Sequence, residues 1–304
     1  MPPNVPLMVI PLAWWWGVAT NGNKALIWTV LVLIRDWNGN GNGLCVGNKR
    51  NGTGWLWRLK EMDHEGFGFA QSTNVVLQDC KIGTGDDCIS IVNGSSAIKM
   101  KGIYCGPGHG VSIGSLGKDN STGIVTKVVL DTALIRETTN GVRIKTWQGG
   151  NGYVRGVRFE NVRMDNVDNP IIIDQFYCDS PKSCQNQTSA VRISEIMYRN
   201  ISGTTKSAKA MKFSCSDTAP CSTIVLSNVN LEKEDGTVET YCNSAEGFGY
   251  GIVHPSADCL TSHDKDYSFF EQTEVSQDYI LNDVTEEKVE LADSNNDRIV
   301  HTEL

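Results

Sequence analysis

The chain has 304 residues, of which 40% are apolar and only 8% aromatic, with 30 glycines and a formal charge of -8. That length can bury the core of one elongated domain, the scarcity of long amphipathic runs speaks against a helical bundle, and no basic stripe offers a nucleic-acid surface. Residues 261–304 hold twelve acidic and three basic side chains, so the body is nearly neutral and the C-terminal end reads as an acidic, mobile tail.

Residues 1–62 read as an aberrant N-terminal segment. Leu7 to Ala19 is apolar, but no Lys or Arg precedes it and Trp14 to Trp16 interrupt it, so a secretion signal is not clearly legible. Ala25 to Ile34 is a second apolar run. It falls short of the roughly 20 residues of a membrane span, and no membrane association is expected. The Asn-Gly alternation from Asn38 to Gly43 and the stretch to Lys60 show neither helical nor strand periodicity.

From about residue 66 short apolar or alternating strands recur: Asn74 to Leu77, Ala97 to Met100, Val125 to Leu130, Val154 to Phe159, Ala190 to Ile193 and Thr223 to Leu226. Each leads into an Asn, Asp or Gly turn and another short strand, as at Gln78-Asp79, Glu160-Asn161, Arg199-Asn200 and Ser227-Asn228. The first strands start 23, 28, 29, 36 and 33 residues apart, irregular periods that suit the coils of a solenoid. The expected fold is all-β, a right-handed parallel β-helix over residues 63–260 whose N-terminal coils are incomplete or aberrant, with handedness taken from the general preference of parallel crossovers. The same strands could build an antiparallel sandwich. The equivalent phase of the turns favours the solenoid.

Ten cysteines without a repeated Cys-x-x-Cys pattern point to an oxidising compartment. Proximity in the chain pairs Cys88 with Cys105, Cys178 with Cys184, Cys215 with Cys221, and Cys242 with Cys259, leaving Cys45 and Cys80 unassigned. Five Asn-x-Ser/Thr sequons, at Asn51, Asn93, Asn120, Asn186 and Asn200, agree with secretion to the cell exterior. A single chain acting as a monomer is expected.

The polar residues near the turns share one phase of this winding. Gly83-Thr84-Gly85-Asp86-Asp87-Cys88 and Cys105-Gly106-Pro107-Gly108-His109-Gly110 look like successive coils. Side chains alternate along a strand, so Asp86 and Asp87 can share a surface only where the glycines bend the backbone. Alone, an Asp-Asp pair is an ordinary acidic turn and a lone His or Arg-x-Lys an ordinary solvated surface. Here Glu65 precedes Asp86 by 21 positions, His109 follows it by 23, and Arg143-Ile144-Lys145 follows His109 by 34. In a solenoid such residues lie side by side, about 4.8 Å apart. They would form one patch on four adjacent coils.

These two motifs, together with Gly141-Val142-Arg143-Ile144-Lys145-Thr146 and Gln175-Phe176-Tyr177-Cys178, resemble the successive signatures of the polygalacturonases, the pectinases of glycoside hydrolase family twenty-eight, and especially their plant and pollen members. The likeness covers about residues 63 to 260. It implies a right-handed parallel β-helix and hydrolysis, with inversion, of α-1,4 bonds between galacturonate units of pectin. It also implies roles: Asp86 as general acid, Asp87 sharing the general-base role with the acid of the preceding coil, His109 supporting the acid's protonation, Arg143 and Lys145 gripping substrate carboxylates, and Tyr177 completing the sugar site. No metal and no other cofactor is expected.

An inverting glycosidase needs a protonated carboxyl at the leaving oxygen and a carboxylate that activates water, at roughly 6.5 to 9.5 Å separation. Adjacent like charges favour retention of a proton, which suits a carboxylate cluster. Two departures from the family pattern stand out. The preceding-coil motif Asn-Thr-Asp-Gly falls on Asp63-His64-Glu65-Gly66, so the acid is Glu65, one methylene longer, a shift of about 1.5 Å and of a size that can cost about a hundredfold in rate. The coils that normally precede this motif have no counterpart in residues 1–60. Two other readings are open: a pectate lyase, which would need a calcium cage, and a non-catalytic pectin-binding solenoid.

Overall fold

The computed structural model describes residues 28–35, 42–49, 66–180 and 183–260; all belong to the first of two structural units, Met1–His263. In chain order the strands are β1 (Trp28–Arg35), β2 (Asn42–Lys49), β3 (Phe67–Phe69), β4 (Thr73–Ile82), β5 (Ile89–Ile91), β6 (Ser95–Cys105), β7 (Val111–Leu116) and β8 (Thr122–Arg136). They continue as β9 (Asn140–Thr146), β10 (Asn151–Val167), β11 (Asn169–Asp174), β12 (Arg192–Thr205), β13 (Lys209–Ser214), β14 (Cys221–Glu232), β15 (Glu239–Asn243) and β16 (Ala245–His254). From β3 onward the chain alternates between two sheets, even-numbered strands in one and odd-numbered in the other. Every pairing within this part is parallel. Successive turns of one winding are the only simple way to make such an order, and the fold is a parallel β-helix. No helix among the described residues is long and apolar enough to cross a membrane.

Parallel register stacks like on like. Leu77, Met100, Leu130, Phe159, Tyr198 and Leu226 are register partners on β4, β6, β8, β10, β12 and β14, and all are fully buried. In the second sheet Ile91, Ile113, Ile144, Ile173 and Phe213 do the same. Each such side chain contributes about 1.5–3 kcal/mol by leaving water, and an isolated coil could not bury it.

The recurring Asn, Asp and Gly turns are not strand ends. They are single left-handed residues within long strands: Asp79, Gly102, Thr132, Asn161, Asn200 and Asn228, at φ between 51° and 65°, occupy one register column. Asparagine tolerates this conformation because its short amide bonds locally. The amides also bond along the column: Asn161 Nδ2 donates to Asp131 Oδ1 (2.7 Å), Asn200 Nδ2 to Asn161 Oδ1 (3.1 Å), and Asn228 Nδ2 to Asn200 Oδ1 (3.4 Å). The amide that could accept a glycan at the Asn200 sequon is thus committed to this ladder. Asn200→Ala should cost about 2–3 kcal/mol, from a left-handed alanine and two lost bonds. Asn200→Gly should cost less, and urea unfolding of both variants separates the two causes.

Near the N-terminus the structure fills in what the sequence left open. The Asn-Gly-rich stretch without strand periodicity includes β2, which pairs antiparallel with β1 and with β4. The pairing satisfies the edge of the first sheet through backbone groups, which need no side-chain alternation and so leave no periodic trace. The expected tail, residues 261–304, lies outside the described residues.

The four expected disulfides are present: Cys88–Cys105, Cys178–Cys184, Cys215–Cys221 and Cys242–Cys259. Cys80 is disulfide-bonded as well.

Candidate active site

The glycine turns before β5 and β7 are laced together by their backbones. Thr84 N donates to Pro107 O (2.9 Å), His109 N to Asp86 O (2.6 Å) and Cys88 N to Gly110 O (2.8 Å). Gly110 has φ +87°, and a Cβ there would lie 2.0 Å from the Asn140 carbonyl oxygen of the next coil. Only glycine fits there, and the bond from His109 N to Asp86 O sets His109 directly beside the acidic turn.

The bend places the two carboxylates in unlike surroundings. Asp86 is about one-third exposed; its Oδ1 lies 2.9 Å from His109 Nδ1 and accepts from the Asp87 backbone N (2.7 Å). Asp87 is 4% exposed. Its Oδ1 accepts from Ser112 Oγ and from Arg143 Nη2, and its Oδ2 from Lys145 Nζ, each at 2.8 Å. Arg143 Nε donates to Ser112 Oγ (3.0 Å), which locks the serine between cation and carboxylate. Lysine is rarely this buried unless paired, and here both cations converge on one anion.

Asp86, Asp87, His109, Arg143 and Lys145 are therefore brought together, with two corrections to the expected layout. Arg143 pairs in register with Ser112, itself opposite Ser90. It lies beyond the level of His109, whose carbonyl instead accepts from Asn140 Nδ2 (3.2 Å), and Arg143 reaches the carboxylates by its length. Polar atoms of Asp86, Asp87 and His109 also lie within 4.8 Å of one another, closer than the roughly 6.5 to 9.5 Å of a carboxyl pair that holds water between its members. Glu65 lies outside the described residues.

Tyr177 stands against Lys145 and Trp147. Lys145 Nζ is 5.3 Å from its ring centroid, and Trp147 meets it edge-on at 5.5 Å. Burial, and then the negative charge of Asp179, hold its phenol above the usual range, so the hydroxyl is a proton donor at neutral pH. Its loop is fixed by Gln175, whose buried Nε2 donates to Val191 O (2.7 Å) while Oε1 accepts from Ser216 N (2.7 Å). Sequence reasoning missed Ser112 and Trp147. Ser112 could have been found only by knowing the coil register.

The trio of Asp86, Asp87 and His109 has a spacing that could admit a cation. Both Asp87 oxygens are already taken, however, and the charges of Arg143 and Lys145 oppose a metal ion.

Residues 55–252 match the sequence model of Glycosyl hydrolases family 28. The chain belongs to this family. Among its relatives, a "Probable polygalacturonase" of Arabidopsis thaliana is 49% identical over 211 residues, 69% of this chain and 47% of the relative. A "Polygalacturonase" of Juniperus ashei is 45% identical over 219 residues, 72% of this chain and 43% of its own. The chain thus spans about half the length of the curated relatives it matches. A crystal structure of endo-xylogalacturonan hydrolase from Aspergillus tubingensis superposes with a TM-score of 0.51 at 23% identity, covering 63% of this chain and 55% of that one. The likeness supports the family's right-handed β-helix and is a statement about fold.

Proposed function

We propose that this family 28 chain is a secreted polygalacturonase that cleaves α-1,4-galacturonosyl bonds of polygalacturonate with inversion, as a single chain whose catalytic part is residues 63–260. The observation that carries it is the asymmetric acid pair: an accessible Asp86 against His109, beside an Asp87 sealed by two cations. An accessible carboxyl can be met by a leaving oxygen, whereas one whose two oxygens already accept three donors is closed to it.

In this reading Asp86 protonates the glycosidic oxygen as the bond to the anomeric carbon breaks. Water attacks that carbon from the opposite face and gives its proton to the base. Asp87 shares the base role with Glu65, and because Asp86 and Asp87 are too close to hold water between them, Glu65 is the carboxylate asked to hold the attacking water. His109 positions Asp86 through the 2.9 Å contact. Arg143 and Lys145 each use only part of their donor capacity on Asp87, and what remains attracts the sugar carboxylate. Tyr177 walls the sugar site.

The four disulfides favour an oxidising, extracellular setting. Incubating the full chain with polygalacturonate should release reducing ends of inverted anomeric configuration, with the rate unchanged by chelator. No reducing ends from a folded chain would reject the hydrolase, and loss of activity on chelation would point to calcium-assisted elimination instead.

A further inference from the structure

Gln175 takes part in no step of the proposed mechanism, yet it is a polar side chain wholly out of solvent. It continues the inward phase of β11 after Ile171 and Ile173, both buried and apolar. An amide in such a place is costly unless its ends are bonded, and here both are. Nε2 donates to Val191 O and Oε1 accepts from Ser216 N, each at 2.7 Å. Val191 immediately precedes β12, so the first bond joins the start of the β11–β12 connection to its end and closes the base of the loop that carries Tyr177.

The second bond reaches the following coil, in the loop closed by Cys215–Cys221. That loop is a firm anchor. Ala219 N donates to Ser216 O (3.1 Å), Asn243 Nδ2 to Cys215 O (2.6 Å), and Thr218 Oγ1 to Thr188 O. Tyr177 is thus held from two sides. The preceding coil meets it through Thr146 O, which accepts from Tyr177 N (3.2 Å), and through Trp147 and Lys145 against its ring. The following coil holds the root of its loop through Gln175, whose backbone N also donates to Ser214 O (3.0 Å).

We propose that Gln175 is a positioning residue for the sugar site: by clasping the root of the Tyr177 loop to Val191 and to the Cys215–Cys221 loop, it sets where the Tyr177 ring stands against Lys145, and with it the affinity for a galacturonate unit seated there. Gln175 is sealed from solvent and touches no sugar itself. The inference rests on the proposed polygalacturonate reading.

The test is steady-state cleavage of polygalacturonate by the full chain carrying Gln175→Met, Tyr177→Ala or both. Methionine refills the volume and makes neither bond. Gln175→Met should raise KM about three- to tenfold with a much smaller change in kcat, the pattern of lost binding rather than lost chemistry. In the Tyr177→Ala background the same substitution should add less than about twofold to KM, because the ring it positions is gone. A brace for the fold alone would lower the thermal midpoint in both backgrounds and leave KM where it was. An unchanged KM in Gln175→Met, or an equal rise with and without Tyr177, overturns the positioning role and leaves the hydrolase reading standing. Should Gln175→Met fail to fold, Gln175→Glu carries the same comparison under the same criteria, since it keeps an acceptor for Ser216 N and, when ionised, offers Val191 O no donor. If Tyr177→Ala cleaves with the parent KM, Tyr177 is no part of the sugar site and the inference falls with it. A folded parent chain that releases no reducing ends brings down both readings together.

Discussion

Asp86→Asn is expected to lower kcat on polygalacturonate by about 10²- to 10⁴-fold, the usual contribution of a positioned general acid, equivalent to about 2.7–5.4 kcal/mol of barrier. The amide keeps the shape of the carboxyl and can still meet His109 and the Asp87 backbone N, but it has no acidic proton to give. Because Asp86 is partly exposed and its backbone is held from both sides by His109 N and Thr84 Oγ1, the fold should change little. Oligomer affinity and thermal midpoint should therefore stay near those of the parent while reducing-end release collapses. Turnover at the parent rate would remove Asp86 from the acid role and leave the cluster without an accessible proton donor.

Asp87→Ala should strike stability instead. Asp87 accepts Arg143 and Lys145 in a pocket where the side chains are 4%, 14% and 9% exposed. Removing the shared anion leaves two desolvated cations side by side, a change that costs about 3–5 kcal/mol when a buried pair loses one partner. At about 2–4 °C per kcal/mol, suitable for a protein of this size class, the thermal midpoint should fall by about 6–20 °C. The double variant Asp87→Ala with Lys145→Met should recover part of the loss, because it removes one stranded charge and refills its volume. A midpoint unmoved by Asp87→Ala would show that the ion-paired geometry does not hold in solution.

These two neighbouring carboxylates show how far a sequence carries and where it stops. Their proximity, the bend that lets them share a site, and the arrival of His109 one coil later were legible because glycine turns and carboxylates repeat at the period of the winding. The recurrence of Asn, Asp and Gly at this column was legible for the same reason, but as turns closing short strands and not as left-handed residues within long ones. What lay beyond reach was register. Ile89, Val111, Val142 and Ile171 are direct partners on successive coils, yet the chain between them varies in length with each intervening loop. The spacing of Arg143 from His109 therefore could not show that Arg143 lies opposite Ser112. For the same reason the two cations read as free clamps for substrate, when Asp87, 56 and 58 positions earlier, already holds them. β2 was illegible on other grounds, since a strand recruited by unsatisfied backbone groups needs no pattern in its side chains.

The amide ladder described above does not reach the whole winding. At the coils that bear Asp86 and His109 its column holds Asp79 and Gly102, neither of which has a carboxamide to pass the chain of bonds along. The acid-bearing coil is closed instead by Cys88–Cys105, whose two cysteines are wholly out of solvent. Coils of a solenoid lean only on their neighbours, so repeated amides tie β10, β12 and β14 to one another while the acid-bearing coil relies on a covalent stitch beneath the acidic turn. A chain made where thiols stay reduced can assemble the first and lack the second. It would carry a well-formed stack of strands with a slack acidic turn, which ties the order of the candidate site to oxidation after synthesis rather than to folding alone.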